Sequence, residues 1–277
     1  MSHNLRLIAK LDIKNYNLVK GIGLEGLRVL GDPKKFIDIY SKEGADEIIY
    51  HDVVASLYDR NQMLNLVKRT SNDIFLPITT GGGIKTTKDV RDFLNSGADR
   101  IFVNSAFIRN KKFINKVVKS FGSSTIVCSI ETQRIHEDYF CFIDFGREES
   151  RIKFEDWILY AQDCGVGEFL ITSIDSDGKG KGFDLFLADK ISKKVKIPFI
   201  VNGGFGQLVH FKEVLDVCNP NGIALGSMLH YKYLNSSNII GEGNNYFLKN
   251  RKDFMNFGNF SIKQIKEFLS KISNIRQ

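Results

Sequence analysis

Residues 76–106, LPITTGGGIKTTKDVRDFLNSGADRIFVNSA, contain one complete strand–helix–strand unit and decide the fold. The pattern predicts a strand over Leu76–Thr79, a helix over Thr86–Ser96 that Gly97 ends, and a second strand over Ile101–Asn104. Both strands are short and apolar, which is typical of parallel strands that helices cover on the outside.

Units of this kind recur along the whole 277-residue chain and give eight predicted strands. Eight repeats predict an α/β protein, a (β/α)8 or TIM barrel, which typically needs about 250 residues. We expect one barrel domain over residues 1–277. The other six strands are predicted at Leu5–Leu11, Ile48–Asp52, Thr125–Glu131, Phe169–Thr172, Phe199–Val201 and Gly222–Leu225. The other helices are predicted at Lys34–Gly44, Met63–Thr70, Lys112–Phe121, Phe154–Cys164, Asp184–Lys194 and Phe211–Val217.

An internal repeat divides the predicted barrel into two halves. Three features of the first half return in the same order in the second half at nearly one offset. A repeat of this length indicates two half-barrels related by an approximate two-fold axis. The pairs, with their separations in residues, are Asp12 and Glu131 at 119, Gly82 and Gly203 at 121, and Ser105 and Ser227 at 122.

Glycine turns beside small hydroxyl residues predict two phosphate sites, one in each half. Glycines let backbone N–H groups approach an anion, and barrels of this type often bind phosphate in these loops. Either glycine pair alone is equally well explained by a tight turn, but the matched pairs favour phosphate binding. The first site comprises Gly82, Gly83, Asn104 and Ser105, and the second comprises Gly203, Gly204, Gly226 and Ser227.

Asp12 and Glu131 follow repeat-related strands at the barrel face where catalysis takes place. Two carboxyl groups across one mouth suit a general acid and a general base, although each could simply cap neighbouring amides. Lys20 lies in a glycine-rich loop and is predicted to close over the ligand, with a solvated loop lysine as the alternative. Among residues that end or follow strands, Asp52, Thr172 and Asp177 are predicted to contact substrate; for Asp177, an Asp–Gly turn is the ordinary explanation.

Four charged residues at the beginnings of strands are expected to meet at the opposite end of the barrel. They form either a structural plug or a gate to a passage along the barrel axis, and a buried ring of charge requires mutual pairing. These residues are Arg6, Glu47, Arg100 and Glu168.

Two segments depart from the barrel pattern. Residues 12–31 are expected to form a long loop after the first strand, and loops of this length in a compact domain are usually either functional lids or disordered. Residues from about 233 to 259 are rich in Asn, Gly, Ser and Lys, and we expect an insertion there before a final helix.

Composition limits the class of protein. The net charge of +7 is explained either by a lysine-rich surface or by a need to attract anionic ligands. The basic residues do not form a block, so the sequence does not favour nucleic-acid binding. The four cysteines lack metal-ligand spacing, so no metal or cofactor is expected. The sequence has no signal-peptide pattern or membrane span, which predicts a cytoplasmic protein.

The chain resembles the cyclase subunit of imidazole glycerol phosphate synthase, up to about residue 231 and again in the last helix. The matching stretches include RLIAKLDIK, LVKG, GLRVLGDP, TGGGIK, GADRIFVNSA, GVGEFLITSIDSDG and GGFG. The resemblance implies that ammonia from a class I glutaminase subunit, docked at the bottom face, crosses the barrel to a substrate with two phosphates. That reaction closes an imidazole ring and releases an aminoimidazole carboxamide ribotide.

The resemblance also implies roles for individual residues. Asp12 matches the catalytic acid or base, Lys20 the lysine of the first loop, and Asp99 a position that contacts the glutaminase. The glycine, asparagine and serine residues match two phosphate sites, and Arg6, Glu47, Arg100 and Glu168 match an ammonia gate.

Several positions depart from the family pattern. Glu131 replaces the second catalytic Asp and places its carboxyl group one methylene farther out. Lys10 replaces a usual Cys beside Asp12. The other substitutions are Val54 for Thr, Arg100 for Lys, Phe145 for Ser and Asn202 for Ser.

Three functions compete at this stage. The first is the cyclase of histidine biosynthesis, which needs both carboxyl groups and both phosphate sites. The second is a diverged relative that conducts ammonia from its glutaminase to a sugar amidotransferase in surface-polysaccharide synthesis. The third is a related phosphosugar isomerase, against which the LVKG loop and the charged gate argue.

Overall fold

Eight parallel strands close into a barrel in the computed structural model, which describes residues 4–54, 61–234 and 257–276. Each barrel strand pairs in parallel with the next one along the chain, and pairing of the eighth barrel strand with the first closes the ring. The predicted (β/α)8 fold is therefore confirmed. The barrel strands are β1 (Arg6–Lys14), β4 (Glu47–Asp52), β5 (Ile78–Gly81), β6 (Arg100–Val103), β7 (Ile126–Ile135), β10 (Glu168–Ser173), β11 (Phe199–Asn202) and β12 (Gly222–Leu225).

Helices cover the outside of the barrel at the predicted positions. Asp32 accepts a hydrogen bond from the Lys34 amide at the first helix, and Thr86 forms a capping box with Asp89 at the third. The helices are α1 (Pro33–Glu43), α2 (Asn61–Asp73), α3 (Thr87–Asn95), α4 (Ser105–Arg109), α5 (Lys111–Phe121), α6 (Phe154–Asp163), α7 (Leu185–Lys194), α8 (Val209–Val217), α9 (Ser227–Leu234) and α10 (Ile262–Ser270).

The prediction of an unstructured loop over residues 12–31 is wrong. β1 continues to Lys14 and pairs with β2 (Asn17–Ile22), which pairs with β3 (Glu25–Gly31), both antiparallel. Two consecutive residues have positive φ at each turn, Asn15 with Tyr16 and Gly23 with Leu24, as type I′ hairpin turns require. Only Gly23 of the glycines in this segment lies in a turn, and the others lie within β2 and β3.

The second half-barrel contains the same addition. β7 pairs with β8 (Asp138–Ile143), which pairs with β9 (Glu148–Lys153), both antiparallel. Each half thus begins with a barrel strand that extends into a hairpin above the mouth. The predicted two-fold repeat is visible in this shared topology. Most of the predicted insertion at about 233–259 lies outside the described residues.

The inward face of β1 runs through the whole barrel. Alternate residues of a strand share one face, so Arg6, Ile8, Lys10 and Asp12 follow one another from bottom to mouth. Ile8 belongs to a buried apolar layer that separates charged groups at the two ends. The layer consists of Ile8, Ile49, Phe102, Val127, Leu170, Ile200 and Ala224. Among the described residues, no helix is long and apolar enough to cross a membrane.

Candidate active site at the barrel mouth

A cavity of about 310 Å³ opens at the carboxyl ends of β4, β5, β6 and β7. Its walls include the first predicted phosphate site, made by Gly82, Gly83, Asn104 and Ser105. Gly82 has a φ of 112°, and a Cβ there would lie 2.3 Å from the Asp52 carbonyl oxygen. Only glycine fits this turn, so backbone rather than side chain faces the cavity.

Three basic side chains lie on the wall of this cavity, together with the carboxyl groups of Asp52, Glu131 and Asp144. Lys85, Arg109 and Arg147 all line it. Arg109 pairs with Asp144 at 2.6 Å, and the Asp144 amide donates to Ser105 Oγ at 2.9 Å. These contacts join α4 to the turn after β8 and close one side of the cavity.

Glu131 lies at the inner wall of the same cavity and is 3% exposed. Its Oε2 atom accepts hydrogen bonds from Asn104 Nδ2 at 3.1 Å and from the Gly146 amide at 2.9 Å. Burial raises the pKa of Glu131 to about 7, although the positive charge of Lys10 opposes the shift. Glu131 can therefore hold a proton near neutral pH, and its bonded Oε2 leaves Oε1 as the atom to carry it.

Asp12 lies on the repeat-related strand in a different environment. Burial would raise its pKa, but the charges of Lys10 and Lys20 outweigh burial and hold the pKa far below the ordinary value. Lys10 Nζ bonds one carboxylate oxygen of Asp12, and Lys20 Nζ bonds the other at 3.0 Å. Near neutral pH Asp12 is therefore ionised while Glu131 is partly protonated, a combination that can supply a base and an acid in one site.

Lys20 connects the first hairpin to the loop after β10. Its ammonium group bonds Asp177 at 2.9 Å as well as Asp12, and the Gly23 amide donates to the Asp177 carbonyl oxygen at 2.9 Å. Burial opposes the charge of Lys20, yet the two carboxylates raise its pKa above the ordinary value. The hairpin is thus folded over the second half of the mouth, as the predicted closing role requires.

The second predicted phosphate site lies beneath this hairpin. Gly203, Gly204, Gly226 and Ser227 come together as predicted, but the cavity between them is only about 10 Å³, room for one water molecule. A Cβ at Gly226 would lie 3.6 Å from Lys20 Cε. The two sites are therefore built alike but differ in the space open to a ligand.

The remaining predicted contact residues occupy different positions. Thr172 Oγ1 accepts from Asn202 Nδ2 at 3.1 Å beside the second site. Asp52 lines the large cavity, and its Oδ1 accepts from the Val54 amide at 3.1 Å in a turn. Both therefore lie at the mouth, and the carboxylate of Asp52 also serves the local backbone.

Two buried histidines were not predicted from the sequence. His51 Nδ1 lies 3.7 Å from an Asp12 oxygen, and its ring packs edge-on against Phe102 and Phe145. Burial lowers the pKa of His51 to about 3, helped by the charge of Lys10, so the ring is neutral. Strand alternation from Glu47 through Ile49 would have placed His51 inside the barrel.

His230 is the second histidine and is fully buried behind Gly226. The Tyr40 hydroxyl lies 2.6 Å from its Nδ1 atom, and burial lowers its pKa to about 3. No periodic signal distinguishes His230 from a core residue of α9.

The four predicted gate residues meet at the bottom of the barrel. Arg6 pairs with Glu47 at 2.7 Å and also with Glu168, while Arg100 pairs with Glu168 at 2.5 Å and lies 3.7 Å from Glu47. At the equivalent position of β12 stands Gly222, where a Cβ would lie 3.6 Å from the Arg6 guanidinium. The closest approach of such a Cβ would be to Ile8 Cδ1, at 2.8 Å, so the absent side chain mainly makes room for the apolar layer above the ring.

Asp99, the predicted partner contact, is exposed at the same end of the barrel. Its Oδ2 atom accepts from the Ile78 amide at 2.8 Å at the start of β5. Asp99 therefore also serves the local backbone.

Comparison with known proteins identifies the relatives of this chain. The family described as histidine biosynthesis protein matches residues 6–235. An imidazole glycerol phosphate synthase subunit HisF from Legionella pneumophila is 46% identical over 209 residues, 75% of this chain and 99% of the relative. The HisF subunit from Clostridium botulinum strain Kyoto is 39% identical over 246 residues, 88% of this chain and 96% of that protein. HisF from Sulfurisphaera tokodaii is 39% identical over 214 residues, 77% of this chain and 86% of its own length.

Proposed function

This chain belongs to the histidine biosynthesis protein family as a HisF-type cyclase subunit of imidazole glycerol phosphate synthase, and from that premise we propose how its mouth works. The substrate is a ribulosyl aminoimidazole carboxamide with a phosphate at each end. The first phosphate lies against Gly82, Gly83, Asn104 and Ser105, where the open cavity and its basic rim support the assignment. The other lies at the smaller second site.

The opposite protonation states of Asp12 and Glu131 carry the mechanism. Ionised Asp12 accepts a proton as ammonia adds to the substrate, and neutral Glu131 donates one as the ring closes and the ribotide leaves. Groups whose pKa values are driven apart can perform both transfers in one site. The raised pKa of Glu131 and the lowered pKa of Asp12 support this division of roles.

Ammonia enters from the bottom of the barrel. The relatives are named as subunits, which implies a partner, and we place a class I glutaminase subunit against this end. The ring of Arg6, Glu47, Arg100 and Glu168 then acts as the gate, and the apolar layer around Ile8 admits neutral ammonia more readily than an ion. Free thiols at all four cysteines support the prediction of a cytoplasmic protein.

Turnover of the bis-phosphate substrate by the purified subunit tests this function. We expect imidazole glycerol phosphate to form with a high concentration of ammonium salt near neutral pH and no partner, since the carboxyl pair lies within this chain and Glu131 still carries a proton there. Folded protein without turnover under these conditions would remove the cyclase assignment.

Delivery of ammonia to a third protein is a second candidate, favoured by two observations. Both oxygens of Asp12 are occupied by Lys10 and Lys20, and the second phosphate site has room for one water molecule. A delivery subunit needs the gate but no open substrate site. Stimulation of a glutaminase without turnover of the bis-phosphate would select this function.

A further inference from the structure

Lys10 lies between the apolar interior and the two carboxyl groups of the mouth. It is 4% exposed and shares the inward face of β1 with Ile8 below and Asp12 above. Its ammonium group bonds an Asp12 oxygen directly. The ammonium group of Lys10 therefore lies between the apolar layer around Ile8 and the carboxyl groups at the mouth.

Burial of this lysine is not explained by stability. Removing two charges from water costs as much as their attraction returns, so apolar residues of similar size often stabilise such a position equally well. Lys20 already gives Asp12 an ionic partner, so Lys10 is a second buried cation on one carboxylate. This second charge points to a role in the site.

The two ammonium groups on Asp12 are held differently. Lys20 comes from the hairpin strand β2 and divides its bonds between Asp12 and Asp177. Lys10 instead lies on barrel strand β1, and the only ion pair found for it among the described residues is the one with Asp12. Asp12 is therefore the single anionic partner of Lys10, whereas Lys20 has two.

The same charge reaches the other carboxyl group. Lys10 is the strongest influence opposing the effect of burial on Glu131, and it also disfavours a proton on neighbouring His51. The titratable and charged groups around this pair come from every packed element: Lys10 and Asp12 on β1, Lys20 on β2, His51 on β4, Glu131 on β7, Asp177 after β10 and His230 on α9.

We propose that Lys10 is a positioning residue that holds Asp12 in place and ionised until Asp12 accepts its proton, and that the charge of Lys10 limits how tightly Glu131 holds a proton. The inference deepens the proposed function, on which its kinetic consequence rests. It predicts that loss of the charge moves both carboxyl groups toward the protonated state, Asp12 because a partner is gone and Glu131 because an opposing charge is gone.

Lys10→Met and Lys10→Arg test this role, because Met removes the charge at similar length and Arg keeps it. Infrared spectra of the free protein would follow the protonated carboxyl band of Glu131 against pH, with Glu131→Gln identifying the band. We expect the midpoint to rise by roughly one pH unit or more in Lys10→Met and to stay near the native value in Lys10→Arg. The pH profile of ammonia-dependent kcat/KM should move upward in the same variant only.

The spectroscopic result stands apart from the enzymatic one. If no variant turns over the bis-phosphate but the Glu131 midpoint moves, the cyclase proposal fails and the role of Lys10 holds. An unchanged midpoint in folded Lys10→Met would overturn the inference. Failure of Lys10→Met to fold, with Lys10→Arg folding normally, would also overturn it by showing a structural role.

Discussion

Asp12 and Glu131 occupy equivalent places in the two half-barrels, because Asp12 on β1 pairs with β2 and Glu131 on β7 pairs with β8. Asp12 lies opposite Val19, and Glu131 lies opposite Phe142. Their surroundings nevertheless drive their pKa values in opposite directions, because two lysines contact Asp12 while amide groups contact Glu131. A duplicated framework thus holds two carboxyl groups with different chemical states.

Removal of either carboxyl group should suppress turnover. We expect Asp12→Asn and Glu131→Gln each to lower the ammonia-dependent rate by about 10²–10⁴, the usual contribution of a positioned acid or base. Asp138→Asn is the matched control, because Asp138 forms an exposed pair with Lys153 far from the cavity. Steady-state assays of the ammonia-dependent rate in all three variants test this prediction. An unaffected rate in Asp12→Asn would contradict the carboxyl-pair mechanism.

Stability should depend on pH through Glu131. Its folded pKa of about 7 exceeds the ordinary value of 4.5, so the folded state binds more protons between these values. This contribution is complete below pH 4.5 and is lost as the pH rises through 7, up to roughly 3 kcal/mol. Urea unfolding at pH 5 and pH 8 should show the loss in native protein and not in Glu131→Gln; equal pH dependence in both would contradict it.

Breaking the charged ring at the bottom of the barrel should lower the free energy of unfolding more than breaking an exposed ion pair. Arg6→Met leaves Glu47 and Glu168 with one arginine between them, and an unpaired buried charge costs roughly 3–5 kcal/mol. Lys193→Met breaks an exposed pair with Asp189 and should cost under about 1 kcal/mol. Chemical denaturation compares the two variants, and similar costs would show that the ring is not closed in solution.

Gly204 should tolerate no side chain. Gly204 and Gly44 have similar φ angles of 93° and 89°, but a Cβ at Gly204 would lie 2.0 Å from the Gly182 carbonyl oxygen, whereas at Gly44 it meets nothing within 4 Å. Gly44→Ala therefore isolates the backbone strain, and Gly204→Ala should cost roughly 1–3 kcal/mol more in unfolding free energy. Equal unfolding free energies would mean that the second site is looser than described.

Substitution of one exposed aromatic residue at each end of the barrel should show which end binds the glutaminase. Phe75 is fully exposed just before β5, at the gate end, and Phe186 is 70% exposed at the start of α7, at the mouth. We expect Phe75→Ser to weaken glutaminase binding at least tenfold and Phe186→Ser to leave it unchanged, since buried aromatic anchors dominate interfaces. Titration calorimetry with the partner measures both; the reverse pattern would place the partner at the mouth.

Sequence periodicity predicted the barrel strands and most helix ends because those signals are local. Thr86, Asp32 and Gly44 act within one turn of their own helices, so cap residues could be recognised without a structure. The hairpin over residues 17–31 was missed because its glycines suit turns and loops equally well. The strand partners that distinguish the two are remote in sequence.

Residue type and repeat spacing alone determined that Asp12 and Glu131 face a common mouth with glycine turns beside each, and that four charges meet below. Only the tertiary structure decided how burial and charge shift the two carboxyl groups, which of the two predicted phosphate sites is open and what Lys10 contacts. The physical reason is that burial and charge at a point depend on every element packed around it, whereas periodicity and spacing depend on the backbone alone.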